Sequence, residues 1–325
     1  MQVKFRRFTR IWSVPAIIFV VKGVILAAGK GSRLYPVTHH VAKPLLPIVN
    51  RPTIEFAFDR LKEIGITDIC IVVGEMEATM RDALGNGAQF GLQLSYVRQT
   101  EPKGLAHAVG FAKEFVGGDD FVLYLGDAIY SEGFTDHAAR FKESGCANLN
   151  IVKPVADPSR FGVANVDGDR IIKLVEKPKV PESNLAMAGL YFFGPQIWDV
   201  LPGLQPSGRG EYEITDAIQL LIDQGNLVLA GIYEGVWFDT GTLDSFLETS
   251  AFLVDGGSRV EGVVQGVIGK DVVIGAGATV ECDSIEDSVV LPGATVKTSG
   301  AIRHSILGGN VTRESGVEGE ILFGD

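Results

Sequence analysis

The residues best suited to do chemistry lie between Gly23 and Pro52. An apolar run, Gly23-Val24-Ile25-Leu26-Ala27-Ala28, ends abruptly in Gly29-Lys30-Gly31-Ser32-Arg33-Leu34, and Ala42-Lys43-Pro44-Leu45-Leu46-Pro47 comes after it. Val24 to Ala28 reads as a buried parallel strand. Gly29 and Gly31 take side chains away where the backbone has to bend and approach a ligand closely. Amides left bare in such a loop, at the start of a helix, cradle phosphate oxygens. Arg33 can grip a phosphate through its planar fork, and Lys43 adds a point charge. The pattern predicts the handling of a phosphorylated small molecule. Two common phosphate loops are excluded: Gly-x-x-x-x-Gly-Lys-Ser/Thr is absent, and Leu34 stands where the dinucleotide fingerprint has its third glycine.

Gly-x-Gly-x-Arg followed by Lys43-Pro44-Leu45-Leu46-Pro47 resembles the signature of the sugar-phosphate nucleotidyltransferases. The resemblance runs from Val21 to the end of the chain. It implies an enzyme that performs in-line displacement at the α-phosphorus of a nucleoside triphosphate: a sugar 1-phosphate oxygen attacks and pyrophosphate leaves. Protein groups then need no covalent role. They position two anions that repel each other and neutralise charge in transit, with Mg²⁺ as cofactor. On this resemblance Leu26, Ala27, Ala28, Gly29 and Gly31 bind the nucleotide, and Arg33, Lys43 and Lys177 are the catalytic cations. Gln99 and Gly104 read a pyrimidine base, the glutamine amide offering one donor side and one acceptor side. Gly162, Glu176, Lys177, Gly189 and Arg209 hold the sugar phosphate. The metal falls to two carboxylates, each after an apolar run: Asp127 in Gly126-Asp127, and Asp239 in Trp237-Phe238-Asp239-Thr240-Gly241-Thr242. Mg²⁺ takes one or two carboxylates together with phosphate oxygens and water. The acidic stretch Glu211 to Asp216 is assigned to helix capping and packing.

The element Glu101-Pro102-Lys103-Gly104-Leu105-Ala106-His107-Ala108-Val109 and the tail resemble the long thymidylyltransferase branch of that family. This implies dTTP and glucose 1-phosphate as substrates and dTDP-glucose as product. Two departures from the family pattern matter. Pro44 replaces a glutamine common in that branch, which opens UTP as an alternative and, more remotely, GTP with mannose 1-phosphate. Ala128 replaces the asparagine of Gly-Asp-Asn, which opens a non-catalytic relative that binds sugar nucleotides and regulates a partner. An acyltransferase function in the tail has no catalytic histidine context to support it.

These residues need elements to hold them. The chain has 325 residues, 46% of them hydrophobic, enough for one large or two modest units. Strands are expected at 69–73, 92–97, 121–125, 148–154, 162–166, 171–176, 187–193 and 227–231. Helices are expected at 53–64, 78–84, 107–115, 134–144, 195–201 and 215–224. Strands alternating with helices predict an open, largely parallel α/β sheet with ligands beyond the strand ends. The family implies a Rossmann-like mixed-sheet nucleotidyltransferase domain over 21–253. After Val254 aromatics nearly vanish. Ile268, Ile274 and Val280 recur every six residues, and Val290, Val296 and Ile302 resume the spacing. This predicts a short left-handed parallel β-helix over 254–325, three hexads to a coil, with aliphatics inside and glycines at corners. Such stacks often mediate self-assembly, so a homo-oligomer is expected.

The remaining features bound the setting. Lys4, Arg6, Arg7 and Arg10 precede an apolar run from Ile11 to Val20 that Pro15 interrupts and that no clean cleavage site ends, so it is not read as a signal peptide. Family members begin at the equivalent of Val21, and residues 1–20 are read as an extension produced by a misplaced start. No stretch is long enough to span a membrane. A net charge of −11 argues against nucleic acid and anionic membranes as partners. Cys70, Cys146 and Cys282 are isolated and fit reduced thiols in the cytoplasm. His39, His40, His107, His137 and His304 show no metal-ligand spacing and are read as structural or exposed.

Overall fold

The computed structural model describes residues 21–324, so the reading of residues 1–20 lies outside the described residues. Strands β1 (Val21–Ala27), β2 (Asp68–Val73), β3 (Gln93–Arg98), β4 (Asp120–Leu125), β5 (Ala128–Tyr130), β6 (Asn148–Pro154), β7 (Gly162–Asp167), β8 (Arg170–Glu176), β9 (Leu185–Phe193), β10 (Val228–Ile232) and β11 (Trp237–Asp239) lead up to the tail. Between them run helices α1 (Thr53–Glu63), α2 (Glu77–Leu84), α3 (Leu105–Phe111), α4 (Thr135–Ser144) and α5 (Ile214–Asp223), and α6 (Leu243–Val254) comes after β11.

Nine of the strands form one sheet in the order β3-β2-β1-β4-β9-β6-β10-β8-β7. Their apolar runs are continuous because both faces are covered. Along β1 the side chains of Val24 and Leu26 enter one core with Cys70, Val72, Phe121 and Leu123. Ile25 enters the opposite core with Ile69, Ile71, Val122 and Tyr124, as the two-residue period of a strand requires. Helix α1 buries Ile54, Ala57, Phe58 and Leu61 on the second face; α3 and α5 cover the first. Full burial of a side chain such as Leu61 stabilises the fold by about 1.5–3 kcal/mol.

The sheet is mixed, where alternation alone predicts a largely parallel one. β1, β2, β3 and β4 are parallel neighbours. β9 then runs antiparallel to both β4 and β6, and β8 antiparallel to β7 and β10. A two-residue turn explains part of this: Asp167 pairs with Arg170 across Gly168, whose φ of 62° suits so tight a hairpin.

The tail winds through β12 (Ser258–Val260), β13 (Val263–Ile268), β14 (Val272–Ile274), β15 (Thr279–Val290), β16 (Thr295–Thr298), β17 (Ala301–Arg313), β18 (Val317–Glu318) and β19 (Ile321–Gly324), paired in parallel throughout. Ser258 pairs with Val272, Val263 with Thr279 and Ser284 with Ala301, so successive passes are 14 to 17 residues apart and shorter than three full hexads. Ile274, Val280, Val290, Val296 and Ile302 lie inside, while Ile268 is 41% exposed. The hexad glycine Gly275 is not at a left-handed corner. A Cβ there would stand 2.3 Å from the Pro292 nitrogen, so it serves close stacking, and Gly277 and Gly293 take the positive φ angles.

One further ladder faces the other way. Val273, Val289, Ile306 and Ile321 pair in sequence, one from each of four successive passes. They pack on a core that includes Leu34, Val37, Ile48 and Phe246. The tail and the turn that carries Arg33 thus share one hydrophobic core.

Candidate active site

The Gly29–Arg33 segment leaves the carboxyl end of β1. Gly31 has a φ of 63°, and a Cβ there would lie 3.0 Å from Thr38 Cγ2 and 3.2 Å from Lys43 Cβ. Glycine is therefore required for both conformation and space. Its carbonyl accepts from Thr38 Oγ1 at 2.8 Å. Gly29 differs from expectation. Its φ is outside the left-handed region and a Cβ would meet nothing within 4 Å, so it keeps the cleft open rather than making the bend. The segment then enters a single 3-10 turn, Ser32–Leu34, rather than a long helix.

Two carboxylates meet at the centre because of a strand pair that sequence spacing does not foretell. β5 and β11 form a separate antiparallel ladder in which Ala128 faces Asp239. Thr240 Oγ1 donates to the Asp127 carbonyl at 2.8 Å and fixes the join. Burial, and then the charge of Asp127, hold the Asp239 carboxyl above its usual range; Lys43, Arg33 and Arg160 oppose the rise. Lys43 forms an ion pair with Asp127. Gly241 leaves room here as well, since a Cβ would stand 2.5 Å from the Arg33 guanidinium and 2.9 Å from Asp239 Oδ1.

A groove extends on both sides of this cluster. A cavity of about 280 Å³ is walled by Ala27, Ala28, Gly29, Lys43 and Gln99. A neighbour of about 270 Å³ shares those walls and adds Leu26, Gly104 and Asp127. A third, of about 670 Å³, shares Asp127 and is lined by Arg33, Gly162, Glu176, Lys177, Gly189 and Asp239. Gly31 lines none of the three, and its part is to make room for Lys43.

On the first side Gln99 is buried, with Nε2 donating to the Gly104 carbonyl at 3.2 Å. Gly104 has a φ of 107°, and a Cβ would lie 2.5 Å from the Tyr212 carbonyl oxygen, so no other residue fits. On the other side Glu176 accepts from Thr215 Oγ1 at 2.6 Å and from Arg209 Nη1 at 3.2 Å. A Cβ at Gly162 would press on Glu176, Thr215 and Met187. Lys177 takes a φ of 43°, a strained setting for a lysine, directly beside Glu176. Gly189, with a φ of 86°, sits where the pairing of β9 with β6 shifts register between Met187 and Tyr191. Arg209 lines the groove but bonds Glu176, Glu211 and Glu213, so its charge is already balanced by carboxylates.

Sequence reasoning passed over four residues. Arg160 lines the groove and acts on Asp239; its signal is its place directly before Phe161-Gly162. Glu211, read as a capping residue, lines two of the cavities. Thr215 holds Glu176, and His107 contacts Gln99 at 3.0 Å. Among the described residues no group of three or more His, Cys, Asp or Glu side chains is placed to enclose a metal. The pair Asp127 and Asp239 suits a cation that completes its sphere with phosphate oxygens and water.

Residues 22–256 match the family described as nucleotidyl transferase. A glucose-1-phosphate thymidylyltransferase from Streptomyces antibioticus is 43% identical over 266 residues, covering 80% of this chain and 74% of the relative. The low-salt glycan biosynthesis nucleotidyltransferase Agl11 of Haloferax volcanii is 38% identical over 330 residues, covering 89% and 92% respectively. The structure of a UDP-glucose pyrophosphorylase with UDP-glucose aligns with a TM-score of 0.67 at 26% identity, over 73% of this chain and 99% of that one.

Proposed function

The chain belongs to the nucleotidyl transferase family, and from that premise we propose that it transfers the nucleotidyl group of dTTP to glucose 1-phosphate, giving dTDP-glucose and pyrophosphate. The observation that carries this reading is the continuous groove with Asp127 at its midpoint. One arm suits a base and triphosphate, the other a sugar phosphate, and the cations Lys43, Arg33 and Arg160 gather where the two anions must meet. Holding both substrates in line accounts for most of the acceleration open to such an enzyme. Asp127 and Asp239 would hold Mg²⁺, which supplies charge neutralisation on the phosphates when bound. Lys43 and Arg33 bind phosphate oxygens, Lys177 the sugar phosphate, and Glu176, held by Thr215, accepts from sugar hydroxyls.

A second nucleotide belongs in the test. Pro44 lines both nucleotide-side cavities and offers no side-chain donor. dTTP and UTP differ by the thymine methyl and the ribose 2′-hydroxyl, and a methyl contact separates them by only about 1 kcal/mol. We further read the tail as a short left-handed β-helix that supports self-association, its exposed Val263 and Val267 suiting a second copy. Three unpaired thiols suit the cytoplasm, and no helix among the described residues is long and apolar enough to cross a membrane.

Pyrophosphate release from a matrix of dTTP, UTP, GTP, ATP and CTP against glucose, mannose, galactose and N-acetylglucosamine 1-phosphates, with Mg²⁺, tests the proposal. A dominant dTTP–glucose pair is the expected result. Equal rates with UTP would broaden the nucleotide. Binding of dTDP-glucose with no turnover anywhere would overturn the catalytic reading in favour of a regulatory relative and make Ala128 the first residue to change to asparagine.

A further inference from the structure

We propose that His107 is a specificity-determining residue: it fixes the amide of Gln99 so that the side-chain carbonyl alone faces the base. The inference rests on the reading of Gln99 as base-facing and goes beyond it by naming what sets its polarity. The Gly104 carbonyl can only accept, so the Gln99 atom 3.2 Å from it must be the amide nitrogen. That same nitrogen lies 3.0 Å from His107 Nδ1. An amide nitrogen only donates, so Nδ1 must offer its lone pair, and neutral His107 carries its proton on Nε2. Both amide hydrogens are then spent within the protein.

The remaining polar atom, Oε1, is left to the cleft, where Gln99 lines both nucleotide-side cavities. An acceptor in that position suits a base with a ring N–H at the pairing edge, as in thymine, uracil and guanine. It opposes a base with a lone pair there, as in cytosine and adenine. It senses neither the thymine methyl group nor the ribose 2′-hydroxyl, so it cannot separate dTTP from UTP. The histidine ring is itself held. It packs edge-on to Phe111 at 5.1 Å and lies over Tyr212 at 6.2 Å. Tyr212 is tied by its backbone to Lys103 and Ala106 at the start of α3. A histidine at this place is therefore a rigid acceptor rather than an exposed side chain.

Two measurements test this. Side-chain ¹⁵N spectra of the intact protein are expected to show His107 protonated on Nε2; protonation on Nδ1 overturns the proposal. Calorimetric binding of dTTP and dCTP, without sugar phosphate, reads the selectivity directly. Loss of a fixed acceptor in His107→Leu should reduce the dTTP:dCTP affinity ratio by about 10- to 100-fold. His107→Gln, whose own carbonyl can accept, should restore most of that ratio. An unchanged ratio in a His107→Leu protein that melts normally overturns the role of His107 while leaving the enzyme assignment intact. Should the unaltered protein bind none of dTTP, UTP or GTP, the reading of Gln99 as base-facing fails, and the specificity role fails with it whatever the tautomer.

Discussion

Replacing Lys43 by methionine keeps the stem that packs beside Gly31 and removes one charge from the middle of the groove. The Lys43 side chain is 10% exposed and that of Asp127 30%. Deleting one partner of a fully buried ion pair costs about 3–5 kcal/mol, and an exposed pair is worth about 0–1. This pair lies between, so the stability loss should be about 1–2 kcal/mol, a fall in Tm of roughly 1–3 °C for a chain of this size. Catalysis should suffer more. A single fixed donor or cation aimed at charge in the transition state contributes about 3–4 kcal/mol, so kcat/KM should fall about 10²–10³-fold. The pH profile supplies an independent check. Lys43 is one of the charges that oppose the raised Asp239 carboxyl. Without it Asp239 stays protonated to higher pH, and the acid limb of kcat/KM should move upward. The assay is pyrophosphate release at saturating Mg²⁺, repeated from acid to neutral pH, with a thermal melt of each protein. A kcat/KM reduced by less than about threefold, with the acid limb unmoved, would refute the placement of Lys43 on the reacting phosphates.

Other consequences can be measured alongside. Ala128→Asn places an amide directly across the ladder from Asp239, and a donor there favours the ionised carboxylate; the acid limb should move to lower pH, and a shift upward would contradict it. Gly104→Ala forces a Cβ against the Tyr212 backbone at a φ of 107°; about 2–4 kcal/mol of stability should be lost, with dTTP affinity reduced, and normal melting would count against the geometry. His304 lies between Asp244 at 2.9 Å and Asp287 at 2.5 Å, and these bonds raise its pKa above 6.5. Its contribution to stability is complete below the unfolded value and lost as pH rises through the folded one. His304→Asn should therefore lower Tm in mildly acidic buffer and have little effect in alkaline buffer. Burial pushes the Cys70 thiol up to about 12. Native protein should react with a thiol reagent at Cys70 only as fast as it unfolds, and rapid labelling would show the strand to be open.

Much of the scaffold is legible in the sequence because its signals are local. The run Val24 to Ala28, the apolar stripe Ile54, Ala57, Phe58 and Leu61, and the hexad aliphatics each announce an element through their own spacing. The short ladder of β5 and β11 is not legible. Three residues on either side, more than a hundred positions apart, carry no period of their own, yet they bring Asp127 and Asp239 together. The surroundings of Arg209 are equally hidden. Its neighbours in sequence suggest a phosphate ligand, and only the fold brings Glu176 to it across 33 positions. His107 has no signal but its position, since what matters is the atom of Gln99 it faces.

The ladder of Val273, Val289, Ile306 and Ile321 presents nearly the same surface at four successive passes of the tail. A surface that repeats cannot choose its own alignment: displaced by one pass, about 4.8 Å, it would meet Leu34 and Val37 almost as well. Selection must come from contacts that occur once. Asn50 Nδ2 donates to the Ile274 carbonyl at 3.0 Å. His40 stacks on Phe323 with centroids 4.0 Å apart, and His304 bridges α6 to the tail. These few polar and aromatic groups discriminate among near-equivalent dockings that the aliphatics alone leave degenerate. Removing them together should yield a chain that stays compact but populates slipped arrangements, with the Arg33 turn losing its single setting.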